Sequence, residues 1–123
     1  MSKFANPGEL RTKVYFKSVE HSTDNEAFDE ESEVNVFGKD NNGNDIPARV
    51  KWVNAHGTEV FNAMQLKLRE PATITMRYSP KINADLIVYK GDDKKPYEII
   101  SIDNVEERCR WLEIKVQRKV AAR

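Results

Sequence analysis

The sequence predicts a mainly β domain: a small six-stranded antiparallel barrel or sandwich with one short helix and a long acidic loop. Three observations carry this reading. Six short stretches alternate apolar with polar residues at a period of two. Only one stretch, 56–70, switches to a spacing of three and four. Turns rich in Gly, Asn, Asp and Pro separate the strands, and so many short strands limit their exposed edges best by closing on themselves. The 123 residues make one domain, 1–123, long enough to hold a core without a metal or a disulfide.

The first strand, 11–20, sets Val14 and Phe16 on one face and Tyr15, Lys17 and Val19 on the other, after a lead-in punctuated by Pro7 and Gly8. Residues 21–46 have no sustained period. There "STDNEAFDEESE" is polar and acidic, and "GKDNNGND" is turn composition, because Gly, Asn and Asp tolerate positive φ or bond their own backbone. Between them "EVNVF" predicts a short strand that forms an extended hairpin with "IPARVKWV". Strand 48–55 alternates Ala48, Val50 and Trp52 against Arg49, Lys51 and Val53. In 56–70 the residues Val60, Phe61, Met64 and Leu68 make a helical stripe, with Thr58 placed to cap it and Pro71 limiting it. A four-strand meander follows at 73–78, 85–90, 97–102 and 109–118, and the basic tail 119–123 is expected to fray.

Charge is balanced in total and segregated in place. Lys plus Arg and Asp plus Glu number 20 each. Residues 21–46 hold eight carboxylates (Asp24, Glu26, Asp29, Glu30, Glu31, Glu33, Asp40, Asp45) against Lys39 alone, a net −7, so the rest of the chain carries +7. Such a dipole suits association with another copy or a protein partner more than general nucleic-acid binding. No stretch approaches the roughly 18 apolar residues of a membrane span, and "MSKFANPGELR" lacks a signal-peptide core. The expectation is a protein made in the cytoplasm, with no membrane partner. Cys109 is the single cysteine and cannot form an intramolecular disulfide; its position predicts a small buried or half-buried strand residue.

Candidate chemistry is thin. His21 and His56 lie in loop-like context without a metal-ligand spacing. Residues 40–51 place Asp40, Asn42 and Asn44 like the first ligands of a calcium loop, but Asp45 stands where Gly is needed and Lys51 where a bidentate Glu is needed. A hairpin turn explains them better. The acidic cluster has only Phe28 nearby to raise a carboxylate pKa. No cofactor, metal or enzymatic activity is expected. Trp52, Tyr78, Tyr89, Tyr97 and Trp111, with basic residues close by, outline an OB-type stacking surface, yet Trp52 and Tyr78 share faces with Val, Ile and Met, which marks a core face. An OB-like nucleic-acid-binding module is the alternative reading.

Order and spacing supply a further reading. "GELR" precedes the first strand (Gly8, Leu10, Arg11). Ala48 and Val50 lead to Gly57 and Glu59. Then come Ile74, Arg77 and Tyr78, followed by Tyr97, Ile99, Ile102 and Asn104, and finally Leu112 and Ile114. This series resembles the head-tail joining proteins of tailed bacteriophages, also called head-completion, stopper or adaptor proteins. It departs from them where the long acidic stretch 21–46 replaces a Gly and an aromatic residue before the second strand. The resemblance implies a barrel with a helix on its side and a homo-oligomeric ring, commonly a dodecamer, and it leaves open whether the free protein is a monomer. It implies partners in the portal and adaptor rings and in tail-completion or tail-tube proteins, with genomic DNA passing through unread. Its place is the host cytoplasm before assembly and then the virion head-tail interface, sealing the DNA-filled head and offering the tail its attachment surface. On that analogy the eight acidic residues of 21–46 form a channel or gating loop, and Leu10, Arg11 and Arg77 are assembly contacts.

Overall fold

The computed structural model describes residues 7–23, 29–55 and 68–119. After a short 3-10 turn at Pro7–Glu9, seven strands follow: β1 (Thr12–Thr23), β2 (Asp29–Asn35), β3 (Ala48–Asn54), β4 (Ala72–Arg77), β5 (Ile87–Lys90), β6 (Tyr97–Asn104) and β7 (Trp111–Arg118). All pairings are antiparallel, in the order β2-β1-β3-β4-β7-β6-β5, and β1 also pairs β5. That last pairing, from Val14↔Lys90 to Lys17↔Ile87, closes six strands into a barrel and leaves β2 outside it. The six-stranded barrel expected from the sequence is therefore present. Closure removes the unpaired edges that a small open sheet would expose.

The alternation in the sequence explains the core. Val14, Phe16, Val50, Ile74, Val88, Ile114 and Val116 are wholly buried, and Ala72, Met76, Leu86, Tyr97 and Leu112 pack with them. Ile74 faces Ile114 across β4–β7, and Ile102 meets Ile114 from β6. The run Leu86-Ile87-Val88 is buried at three consecutive positions, which is why "LIVYKG" shows no alternation. In β6 the register slips between Ile99 and Ser101, so Ile100 is the extra residue of a β-bulge and lies exposed.

The acidic stretch departs from the expected geometry. β1 runs on to Thr23, so His21 is a strand residue and not a loop residue. Strand β2 pairs with β1, from Lys17↔Asn35 to Thr23↔Asp29, and not with the "IPARVKWV" strand. Lys17 has partners on both sides, Asn35 and Ile87. It is the last residue of β1 inside the barrel; beyond it the chain is a two-stranded ribbon. The reason for the choice of partner lies at Asn35. Its side-chain amide donates to the carbonyls of Gly38 (2.8 Å) and Ile46 (2.9 Å). Gly38 and Gly43, at φ 81° and 82°, then let 38–46 close as its own turn, bridged at Lys39↔Asp45. The turn reading of "GKDNNGND" holds. Asn35→Ala removes two part-buried hydrogen bonds and should lower stability by about 2 kcal/mol in chemical denaturation, with faster amide exchange confined to 36–46.

Three further expectations meet the structure. Residues 56–67 of the expected helix lie outside the described residues, and 68–70 bend into β4 with Glu70 at φ 43°. Cys109 is exposed, not buried, because β7 begins only at Trp111; Cys109 sits in the preceding turn at φ 55°, where its N–H donates to Asn104 Oδ1 (3.0 Å). Of the tail, Lys119 is held, its N–H donating to the Pro96 carbonyl (3.0 Å), and 120–123 lie outside the described residues.

Candidate functional site

Two features at one end of the barrel stand out. β1 is antiparallel to β3, and β3 to β4. The end where β1 leaves as a ribbon is therefore also where β3 starts and β4 stops.

The first feature is the ribbon. Of the eight predicted channel acids, three serve its root and the turn beside it. Glu33, on β2, accepts the Tyr89 hydroxyl through both oxygens (2.7 and 2.9 Å). Burial, and then this bond, push the Tyr89 pKa up to about 12. Asp45 pairs with Lys17 at 3.0 Å. Asp40 Oδ1 accepts the N–H groups of Asn42 (2.8 Å) and Asn44 (3.0 Å), closing the turn. These contacts surround an open depression of about 650 Å³ lined by Tyr15, Lys17, Glu33, Asp45, Tyr89 and neighbours. Asp29, Glu30 and Glu31 lie farther out on β2, opposite Thr23, Ser22 and His21. Asp24 and Glu26 lie outside the described residues. The outer part, 21–33, carries six carboxylates and no Lys or Arg.

The second feature is a depression of about 380 Å³. Leu10, Phe37, Ile46, Pro47, Met76 and Tyr78 give it an apolar lining, and Arg49 and Arg77 also face it. Of the three predicted assembly contacts, Leu10 and Arg77 thus meet at one place. Arg11 turns aside: its Nε donates to the Gly8 carbonyl at 2.9 Å. Arg77 is exposed while its neighbour Met76 is buried, and its guanidinium lies 5.7 Å from the Trp111 ring centroid. Sequence reasoning missed Arg49. It pairs in register with Lys13 on β1, and no carboxylate partners Lys13, Arg49 or Arg77 among the described residues. Like charges set side by side across strands destabilise a sheet.

The opposite end of the interior is plugged. Trp52 and Tyr97 meet edge to face at 4.9 Å, Lys90 caps Trp52 at 4.8 Å and Arg118 caps Tyr97 at 4.1 Å. Arg118 also bonds Glu70 (3.1 Å), Asp93 (3.0 Å) and the Lys95 carbonyl (2.9 Å). Burial alone would lower the Arg118 pKa, but the carboxylates of Glu70 and Asp93 outweigh it and the pKa is raised. Tyr89, Tyr97, Trp52 and Trp111 each have a polar or aromatic partner. Among the described residues no group of three or more His, Cys, Asp or Glu side chains is placed to hold a metal ion, and no helix is long and apolar enough to cross a membrane.

Fold and surfaces together define a small closed β-barrel that carries an acidic ribbon and a cation-rimmed depression. The phage head completion protein family matches residues 5–119, and the chain belongs to that family, whose members are structural proteins of the virion head. The solved solution structure of protein SF1141 from Shigella flexneri 2a is similar in fold, with a TM-score of 0.61 at 19% identity, covering 96% of this chain and 100% of that one. No curated protein matches the chain.

Proposed function

We propose that this chain is a ring component of the head-tail connector. Copies assemble below the portal and adaptor, help seal the DNA-filled head and present the surface that receives the tail proteins. The observation that supports this best is the β1–β2 ribbon. It leaves a closed and well-packed barrel and concentrates the chain's negative charge where no core needs it. A barrel whose own edges are paired has its backbone satisfied. Its ribbon is then free to work against other copies, and its carboxylates repel phosphate so that DNA slides without adhering. Arg77 and Leu10 belong in this reading to the contact surface. The chain performs no reaction.

The test is completion in vitro. DNA-filled heads assembled without this protein should leak their DNA and fail to take tails. Adding the purified protein should restore both. Heads that hold DNA and accept tails equally well without it would remove the connector role.

A further inference from the structure

We infer that the acidic ribbon tip of one copy docks in the arginine-rimmed depression of the next, a contact that rests on the ring reading and gives it a joint. Four observations lead there. First, the depression joins an apolar floor (Leu10, Phe37, Ile46, Met76) to two arginines, Arg49 and Arg77, with Lys13 beside Arg49. These cations lack carboxylate partners among the described residues. Cations clustered across neighbouring strands repel one another until an anionic partner arrives.

Second, the floor selects the kind of anion. A phosphate backbone has nothing to place on Phe37, Ile46 and Met76. An extended acidic segment with one large apolar side chain fills both needs, the ring in the hollow and the carboxylates on its rim. The chain carries such a segment in "NEAFDEE", residues 25–31, where Phe28 is the lone large apolar residue among Glu26, Asp29, Glu30 and Glu31.

Third, a copy cannot fill its own depression. Ala48, at the depression, pairs with Val14. The β1–β2 pairs run unbroken to Thr23↔Asp29, which sets that last pair about 30 Å farther along the strand at ~3.3 Å per residue. While those pairs hold, the tip belongs to another molecule's depression. Fourth, ribbon and depression sit at the same barrel end. Copies displaced from one another along the ribbon can therefore each give a tip and receive one. This is a head-to-tail contact of two different patches, the kind that closes into a ring.

The experiment titrates isotope-labelled full-length protein with a synthetic peptide of residues 22–33 and follows its NMR signals. The peptide should shift the methyl signals of Leu10, Ile46 and Met76 and weaken with added salt. Phe28→Ala in the peptide, and the double change Arg49→Glu with Arg77→Glu in the protein, should each weaken binding by about tenfold or more. A peptide with its carboxylates replaced by lysines should bind the doubly substituted protein and not the parent, which shows that the variant still folds and presents the site. The inference is overturned by a peptide that shifts nothing, shifts residues elsewhere, or binds both proteins alike. It is equally overturned by a short DNA duplex that moves these methyl signals more strongly than the peptide. Failure here with head completion intact removes only this joint; binding here with no completion activity removes the connector role instead.

Discussion

Replacing residues 20–32 with Asn-Gly is expected to leave the barrel folded and its heads leaking DNA. The cut is set by register. Val19 and Glu33 are direct partners, and a two-residue Asn-Gly turn matches the twist of the strands it joins. Everything that anchors the ribbon root survives: Glu33 on Tyr89, Lys17 on Asp45, Asn35 on the 38–46 turn. What goes is the tip with Asp24, Glu26, Asp29, Glu30 and Glu31. A deletion carried on to residue 45 would also strip Asn35 and Phe37, the latter packed edge to face on Phe16 at 6.3 Å, and would confuse lost function with a damaged core. The shortened protein should denature within about 1 kcal/mol of its parent, while most heads completed with it should be empty by sedimentation. DNA-full heads in normal yield would end the sealing role of the ribbon.

Arg118→Ala should be the most damaging single change at the plugged end, costing about 3 kcal/mol and roughly 10 °C in melting temperature. The side chain is only 18% exposed and ties the end of β7 to Glu70 before β4 and to Asp93 and Lys95 in the β5–β6 turn, while covering Tyr97. Arg118→Lys keeps the charge without the planar fork and should recover less than half of the loss. The acid side of the stability curve should change as well. The Lys95 N–H, and then Arg118, hold the Asp93 carboxyl below its ordinary range. A lowered folded pKa gives stability that is present above the unfolded value, about 3.9, and is lost as pH falls through the folded one. Without Arg118 that acid-side loss should shrink, leaving the Lys95 share. A change under about 0.5 kcal/mol would mean that the neighbouring β-ladders alone hold this end.

The barrel strands were legible because each has one face in the core, and burial of one face imposes alternation. The ribbon was not, for the same reason. "DEESEVN" pairs through its backbone, and Ser32, Glu33 and Val34 are exposed, so its composition reads as loop. The first strand was cut short at residue 20 because "HST" carries no apolar signal. The partner of "EVNVF" was misread because the amide of Asn35, which folds 38–46 into a local turn, looks in sequence like any other polar loop residue. Leu10 and Arg77 could be named from the resemblance alone, but not their meeting point. That needed the β3–β4 pairing, which also brings in Arg49. Arg118 closes the last predicted strand, and its spacing from Leu112, Ile114 and Val116 puts it on the inward face, but a basic residue at a strand end beside a basic tail reads as solvent-exposed.

β1 is a single uninterrupted strand from the barrel wall into the ribbon. Tension along the ribbon therefore has no hinge to bend. It passes lengthwise into the seams with β3 and β5, where all the backbone bonds must be sheared at once instead of being unzipped singly. Pressure on the tip would be borne by the whole cylinder, a mechanical property that the proposed sealing role would use.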